Sequence, residues 1–350
     1  MKESFLLDPT VTYLNHGSFG ACARPVFEAY QQWQRELERQ PVEFLALERG
    51  FPERLDAARR VLAAYVGAAP ENLAFVPNAT TGLNALARSL ELGPRDEVLL
   101  GDAEYGGMER LWEFVRRRTG VTVTRRPFAE LDPGPRTRVV FCSHVEWSTG
   151  RINDLAPLVA ATRAARALLV VDGAHAPGQL DLDLESLGAD VYAGNCHKWM
   201  LAPKGSGFLY ARPEAQQLIE PTIVSWDWLD GAPFPDRHRW QGTRDPSSYL
   251  AVPAAIAFMS EHDWPSVRGR CHDLLASLEL PFAPLTDDYV QMRGYRVDHP
   301  DPPGLKRRLY DEHRIEVPIV ETPGGWVMRV SVQAYNDGAD LDALARAVAP

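Results

Sequence analysis

From about residue 50 to residue 210 the chain alternates short β-rich runs with stretches of helical period, and that alternation constrains its fold more than any other feature. Leu73–Val76, Glu97–Leu100, Val121–Arg125, Arg138–Ser143, Ala167–Asp172, Asp190–Asn195 and Gly207–Ala211 read as strands. Between several of them apolar residues return at helical spacing: Leu55, Ala58, Leu62 and Tyr65, then Leu83, Leu86, Ala87 and Leu90, then Leu155, Leu158 and Val159. The run Ala167-Leu-Leu-Val-Val171 has no polar face, so both its faces must be covered. Strands alternating with helices then predict an α/β fold whose large domain carries a mostly parallel central sheet. Residues 212–250, rich in Pro, Trp and Asp, read as ordered loop. Beyond them we expect helices at Pro253–Glu261 and Ser266–Leu278, a short strand at Trp326–Val332 and a final helix at Leu341–Val348. The 350 residues suggest about two domains. The expected division is an N-terminal arm (1–25), a large domain (26–250) and a smaller α+β C-terminal domain (251–350).

The composition bounds the partners. A net charge of -10 argues against a broad nucleic-acid footprint, which needs a basic face. The basic clusters Arg116–Arg118 and Lys306–Arg308 fall in helical stretches and read as solvated faces. Four cysteines without paired spacing fit a reducing compartment. Lys2, Glu3 and Asp8 interrupt any signal-peptide core, and no apolar run has the length to cross a bilayer. A cytoplasmic protein with neither membrane nor nucleic-acid partner is expected.

In open α/β sheets ligands gather at the carboxyl ends of strands, and the residues there carry the chemistry. Lys198 follows the strand Asp190–Asn195 and is flanked by Trp199 and Met200. Partial burial would lower its pKa and favour attack on a carbonyl; an ordinary surface lysine is the alternative. Lys204, in a Pro-Lys-Gly turn, is its rival. Asp172 ends the most apolar strand, where an unpaired charge is costly, although turns and caps also use Asp. His175 stands three residues on. Asn78-Ala-Thr-Thr-Gly82 opens a helix and offers an anion site or a plain N-cap. Tyr105, after Glu97–Leu100, is free to lie on a flat ring or to pack on the surface. Alternation along Trp326–Val332 turns Arg329 away from Met328 and Val330. Its guanidinium suits a carboxylate, or a surface salt bridge.

A lysine for an imine, a carboxylate for a pyridine nitrogen, donors for a phosphate and a flat aromatic are what pyridoxal 5'-phosphate (PLP) requires. A metal-dependent hydrolase is the competing reading, since Cys142, His144, Asp172, His175, Cys196 and His197 are ligand types near strand ends. No His-Glu-x-x-His or Cys-x-x-Cys pattern supports it, so no metal is expected. A nucleotide site fails for want of a Walker A or Gly-x-Gly-x-x-Gly stretch after a strand. A non-catalytic relative would have no reason to keep Lys198, Asp172 and Arg329 together.

At these residues the sequence resembles the class V aminotransferase superfamily, PLP enzymes of fold type I, and within it the isopenicillin N epimerase-like branch. The resemblance rests on Tyr13-Leu-Asn-His-Gly-Ser-Phe-Gly20, Pro41-Val-Glu-Phe-Leu45, Phe75-Val-Pro-Asn-Ala-Thr-Thr-Gly82 and Val171-Asp-Gly-Ala-His-Ala-Pro-Gly178. It continues through His197-Lys-Trp199, Ala202-Pro-Lys-Gly-Ser-Gly-Phe208, Trp240-Gln-Gly-Thr-Arg-Asp245, Arg329-Val-Ser331 and Tyr335-Asn336. It implies Lys198 as the Schiff-base lysine, Asp172 as the pyridinium partner and His175 near the ring hydroxyl. Tyr105 would stack on the ring, and Ala79, Thr80, Asn195 and His197 would hold the phosphate. Gln241, Gly242 and Thr243 would reach the neighbouring subunit's phosphate, which implies a homodimer with shared sites. Arg329 would clamp the carboxylate of an amino-acid substrate, with His16 and Gly17 at the substrate mouth.

Two departures stand out. Glu146 and Trp147 replace the small or amide side chains usual in relatives, and the C-terminal domain is short. The segment Glu321-Thr-Pro-Gly-Gly-Trp-Val-Met328 has no loop cysteine before Arg329, which argues against a persulfide-forming desulfurase. Epimerisation, amino transfer and elimination share one α-carbanion and remain open. A C–S lyase like that of ergothioneine assembly is the leading alternative to an epimerase.

Overall fold

The seven expected strands between residues 73 and 211 pair into one sheet in the computed structural model, which describes residues 1–349. The strands in chain order are β1 (Thr12–Tyr13), β2 (Leu73–Val76), β3 (Glu97–Gly101), β4 (Thr122–Arg126), β5 (Thr137–Ser143) and β6 (Leu168–Gly173). They continue as β7 (Val191–Asn195), β8 (Gly207–Ala211), β9 (Met292–Arg296), β10 (Ile315–Glu316), β11 (Ile319–Thr322) and β12 (Gly325–Ser331). The large sheet has the order β2-β8-β7-β6-β5-β3-β4. Neighbours from β7 to β4 are parallel, whereas β8 runs antiparallel to both β7 and β2. A parallel return needs a crossover of a dozen or more residues, usually a helix. Residues 196–206 form no helix, so the chain turns back on itself. That turn carries Lys198.

Both faces of the sheet are covered, as the unbroken apolar runs require. On β5, Val139 and Phe141 join a core with Leu83, Leu86, Leu111 and Trp112 from helices Ala79–Ser89 and Gly106–Thr119. Val140 and Cys142 join the opposite core with Val26, Leu55, Leu62 and Leu158. Each fully buried Val or Phe of this kind contributes about 1.5–3 kcal/mol.

The C-terminal region is a three-stranded antiparallel sheet in the order β11-β12-β9, flanked by helices Pro302–Asp311 and Gly338–Val348. β1 pairs in parallel with β10, Thr12 opposite Ile315, so the N-terminal segment is tied to this region. Helix Val252–Glu261 packs against helices Arg24–Arg39 and Phe51–Tyr65. The stretch 212–250, which reads as loop, contains the one-turn helices Pro213–Gln216, Phe234–Arg237 and Ser247–Leu250. A single turn is too short to establish a period in the sequence. No helix among the described residues is long and apolar enough to cross a membrane.

Candidate active site

β7 delivers the chain to the carboxyl edge of the sheet, where a tight turn follows, the Leu201 N–H donating to the Lys198 carbonyl at 3.0 Å. Leu201 adopts φ 62°, a left-handed conformation that costs a non-glycine residue of order 1–3 kcal/mol. Complete burial of its side chain holds it there. Gly20 crosses this turn at φ 70°, and a Cβ there would collide with the His197 carbonyl oxygen. Only glycine lets the arm lie so close. The turn carries the Lys198 Nζ to 3.0 Å from His175 Nε2. Burial lowers Lys198 to about 7, Arg329 adds to that shift and Asp172 opposes it. An amine of that pKa is about half neutral near pH 7, enough to serve as a nucleophile toward an aldehyde. The rival, Lys204, donates to the Gly20 carbonyl at 3.0 Å and does not line the cavity.

Asp172 and His175 come from the end of β6. The Asp172 Oδ1 accepts the Ala174 N–H at 2.9 Å, and burial raises this carboxyl above its ordinary range. His175 is buried, and its pKa is pushed well down by burial and then by Lys198.

The start of helix Ala79–Ser89 forms a third wall. Asn78 caps it, accepting from the Thr81 N–H at 2.8 Å, while Asn195 Oδ1 accepts the Ala79 N–H at 2.9 Å. Among the described residues the Thr80 N–H and hydroxyl find no partner, which leaves donors at a helix N-terminus for an anion. His197 donates through Nδ1 to the Ser206 carbonyl at 2.9 Å, leaving Nε2 free, and burial lowers its pKa to about 4.

Arg329 closes the cavity from β12. Only 5% exposed, it donates to the Trp147 carbonyl at 2.6 Å and the Ser18 hydroxyl at 2.8 Å. Its Nε has no partner, and burial lowers the group to about 10. A surface salt bridge is thereby excluded. Arg329 is a buried cation without an anion, a costly arrangement unless a ligand supplies one.

Lys198, Asp172, His175, Arg329 and Gly17 line one cavity of about 440 Å³ together with Ala79, Thr80, Tyr105, Asn195 and His197. Tyr105, 47% exposed, meets Trp147 edge-on with ring centroids 6.0 Å apart. Both rings also border a second cavity of about 820 Å³ between helix Gly106–Thr119 and the β11–β12 hairpin. A group with an aldehyde, a ring nitrogen to protonate and a phosphate fits this residue set: a buried lysine of lowered pKa, a buried acid and unspent donors at a helix end.

Four predicted site residues stand outside the cavity. His16, expected at the substrate mouth, is fully buried, with Nδ1 3.0 Å from the Tyr335 hydroxyl and Nε2 3.1 Å from the Lys198 carbonyl oxygen. The short helix His16–Phe19 turns this ring inward, so it braces the lysine turn while Gly17 faces the cavity. Gln241, Gly242 and Thr243 do not join the cavity within one chain.

Glu104 escaped the sequence reading. It is buried, its Oε1 accepts the Ser143 N–H at 3.0 Å, and Oε2 lies 2.6 Å from the Ser143 hydroxyl. Burial, reinforced by Asp172 and Glu146, raises it to about 8. Its place beside Tyr105 was the available signal. Among the described residues no three His, Cys, Asp or Glu side chains gather as a metal-binding group.

The Aminotransferase class-V family matches the chain over residues 21–282. The isopenicillin N epimerases of Streptomyces clavuligerus and Amycolatopsis lactamdurans are each 38% identical to it, over 99% of this chain and 96% of theirs. The solved structure of the cystine C-S lyase C-DES with its reaction product cysteine persulfide is similar with a TM-score of 0.83 and 26% identity, covering 97% of this chain and 98% of that one. With the fold, the lysine turn and these likenesses in hand, the chain belongs to the aminotransferase class-V family of PLP-dependent enzymes of fold type I.

Proposed function

We propose that the chain epimerises an amino acid larger than cysteine, in the manner of the isopenicillin N epimerases it is similar to. The observation that carries this reading is one cavity holding a fully buried lysine (Lys198) whose pKa burial lowers to about 7, a buried acid (Asp172) and a buried guanidinium with no salt-bridge partner among the described residues (Arg329). When bound, PLP supplies an electron sink for the α-carbon of the amino acid. Lys198 would hold it through Nζ and, as a free amine, would take the α-proton as general base; inversion then requires a proton to arrive on the opposite face of the α-carbon. Asp172 would keep the ring nitrogen protonated, and His175 would stand by the ring hydroxyl. Ala79, Thr80, Asn195 and His197 would hold the phosphate, and Tyr105 would supply a flat face for the ring. Arg329 holds the α-carboxylate beside Gly17.

The 820 Å³ cavity beyond Tyr105 and Trp147 supports a substrate with a long side arm. The same segment carries Glu146 and Trp147, where this chain departs from its relatives. The second reading, elimination at the β-carbon, draws support from the likeness to the C-S lyase C-DES. Incubation with candidate amino acids in deuterated water separates the readings. Epimerisation gives solvent deuterium at the α-carbon of an otherwise intact amino acid whose α-configuration is inverted. Pyruvate or a released thiol would establish elimination, and a keto acid would establish amino transfer.

Our reading includes a cytoplasmic homodimer in which Gln241, Gly242 and Thr243 reach the second copy's phosphate site. The exposed apolar side chains of Ile223, Val224, Trp226 and Leu229 support a covered surface there, and four free cysteines support a reducing compartment. It retains the division into an arm (1–25), a large domain (26–250) and a small domain (251–350).

A further inference from the structure

Three side chains stand in a row behind the lysine. The Trp199 Nε1–H points at His175 Nδ1 across 3.2 Å, and His175 Nε2 lies 3.0 Å from Lys198 Nζ. An indole nitrogen can only donate. Nδ1 must therefore present its lone pair, and a neutral imidazole then carries its single proton on Nε2. That proton points at Lys198 Nζ. An ammonium has three N–H donors and no lone pair, so the contact exists only with Lys198 as the neutral amine. The row is rigid: Trp199 is fully buried, with its ring 4.9 Å from that of His16, and Gln179 Nε2 donates to the His175 carbonyl at 2.6 Å.

We infer that Trp199 is a positioning residue that fixes His175 as the Nε2–H tautomer and through it keeps Lys198 Nζ an unprotonated acceptor. The inference rests on the reading of Lys198 as the PLP lysine for its purpose, though not for its geometry. In the loaded enzyme the same Nε2–H would stand beside the Lys198 nitrogen. Without the indole donor the imidazole proton is free to move to Nδ1. Nε2 then becomes an acceptor, and a Lys198 ammonium can donate to it. The other charged or titratable groups facing this row are Asp172 on β6, Arg329 on β12, His16 on the N-terminal arm and His197 in the lysine turn. None of them supplies the donor that Trp199 does.

The test uses the full chain freed of cofactor, with ¹⁵N-labelled histidine and the His175 signals assigned by their loss in His175→Gln. In the wild type the expected signals are an unprotonated Nδ1 and a protonated Nε2 across neutral pH. A protonated Nδ1 overturns the inference, whatever any variant does. In Trp199→Phe, which keeps an aromatic ring and removes the donor, the proton shifts toward Nδ1 and the amine midpoint of Lys198 rises. The rate at which the cofactor-free chain captures added PLP, followed by absorbance, should then fall about tenfold at pH 7 for each unit of that rise. It should recover at higher pH, a profile that mere loosening of the core would not produce. A folded Trp199→Phe protein with unchanged tautomer and unchanged pH profile overturns the proposal. A reduced PLP adduct on another lysine would instead sink the assignment of Lys198 and leave the tautomer result standing.

Discussion

Arg329 and Trp147 meet across the cavity at 2.6 Å, the guanidinium donating to a main-chain carbonyl where a carboxylate would be the natural partner. Among the described residues no acidic side chain accepts from Arg329; its other hydrogen bonds go to the Ser18 hydroxyl and the Asn15 amide oxygen. The fold thus carries a buried charge, and on our reading the substrate carboxylate is its complement.

Replacing Arg329 should therefore separate stability from function. Arg329→Met removes an uncompensated buried cation and should leave the protein as stable or up to about 1–4 kcal/mol more stable to denaturant. The same change should raise the apparent KM for the amino acid at least about tenfold. Arg329→Lys keeps the charge but loses the planar fork, and should also weaken substrate binding. Unchanged apparent affinity in both variants would reject the carboxylate role.

Asp172→Asn should lower turnover by roughly 10²–10⁴-fold, the range of a lost proton-holding group, while the protein still binds PLP. Near-normal turnover would show that another group serves the ring nitrogen.

Glu104 should leave its mark on stability as a function of pH. Its folded pKa, about 8, lies above the ordinary carboxyl value, so between about pH 4.5 and 8 the folded state holds a proton that the unfolded state has released. Stability therefore falls as pH rises through that window, by at most about 1.4 kcal/mol per unit from this group. Glu104→Gln keeps the hydrogen bonds to Ser143 without the charge. It should flatten this slope and stabilise the protein above pH 8. Chemical denaturation at pH 5, 7 and 9 measures this; parallel slopes in the two proteins would refute it.

Gly20→Ala tests the close crossing of the arm over the lysine turn. A Cβ at a positive φ and against the His197 carbonyl should destabilise the fold by a few kcal/mol and loosen Lys198. Thermal melting and PLP affinity should fall together. A variant unaffected in both would show that the arm does not hold the turn.

The strands were legible because buried parallel strands are unbroken apolar runs bounded by turn residues. β2 and β8 match their expected limits, and the other five strands of the large sheet shift by about one residue. The reversed direction of β8 was not visible in its composition; it follows from the helix-free stretch 196–206. The site was legible where its residues end strands, as Asp172 does, or follow one directly, as Lys198 does. What stayed hidden depends on contacts between distant segments. Glu104 meets Ser143 from 39 residues away, and the Trp199 indole reaches His175 only through the folded turn. The buried position of His16 was hidden for the same reason: its partners, Tyr335 and the Lys198 carbonyl, lie far along the chain.

The central claim is that Lys198 Nζ, buried in its turn, is the nitrogen that carries PLP. Borohydride reduction of the yellow holoprotein, followed by peptide mapping, measures this directly. The account predicts one reduced adduct, on the peptide containing Lys198, and its loss in Lys198→Ala. An adduct on Lys204 or any other lysine, or none at all, would contradict it.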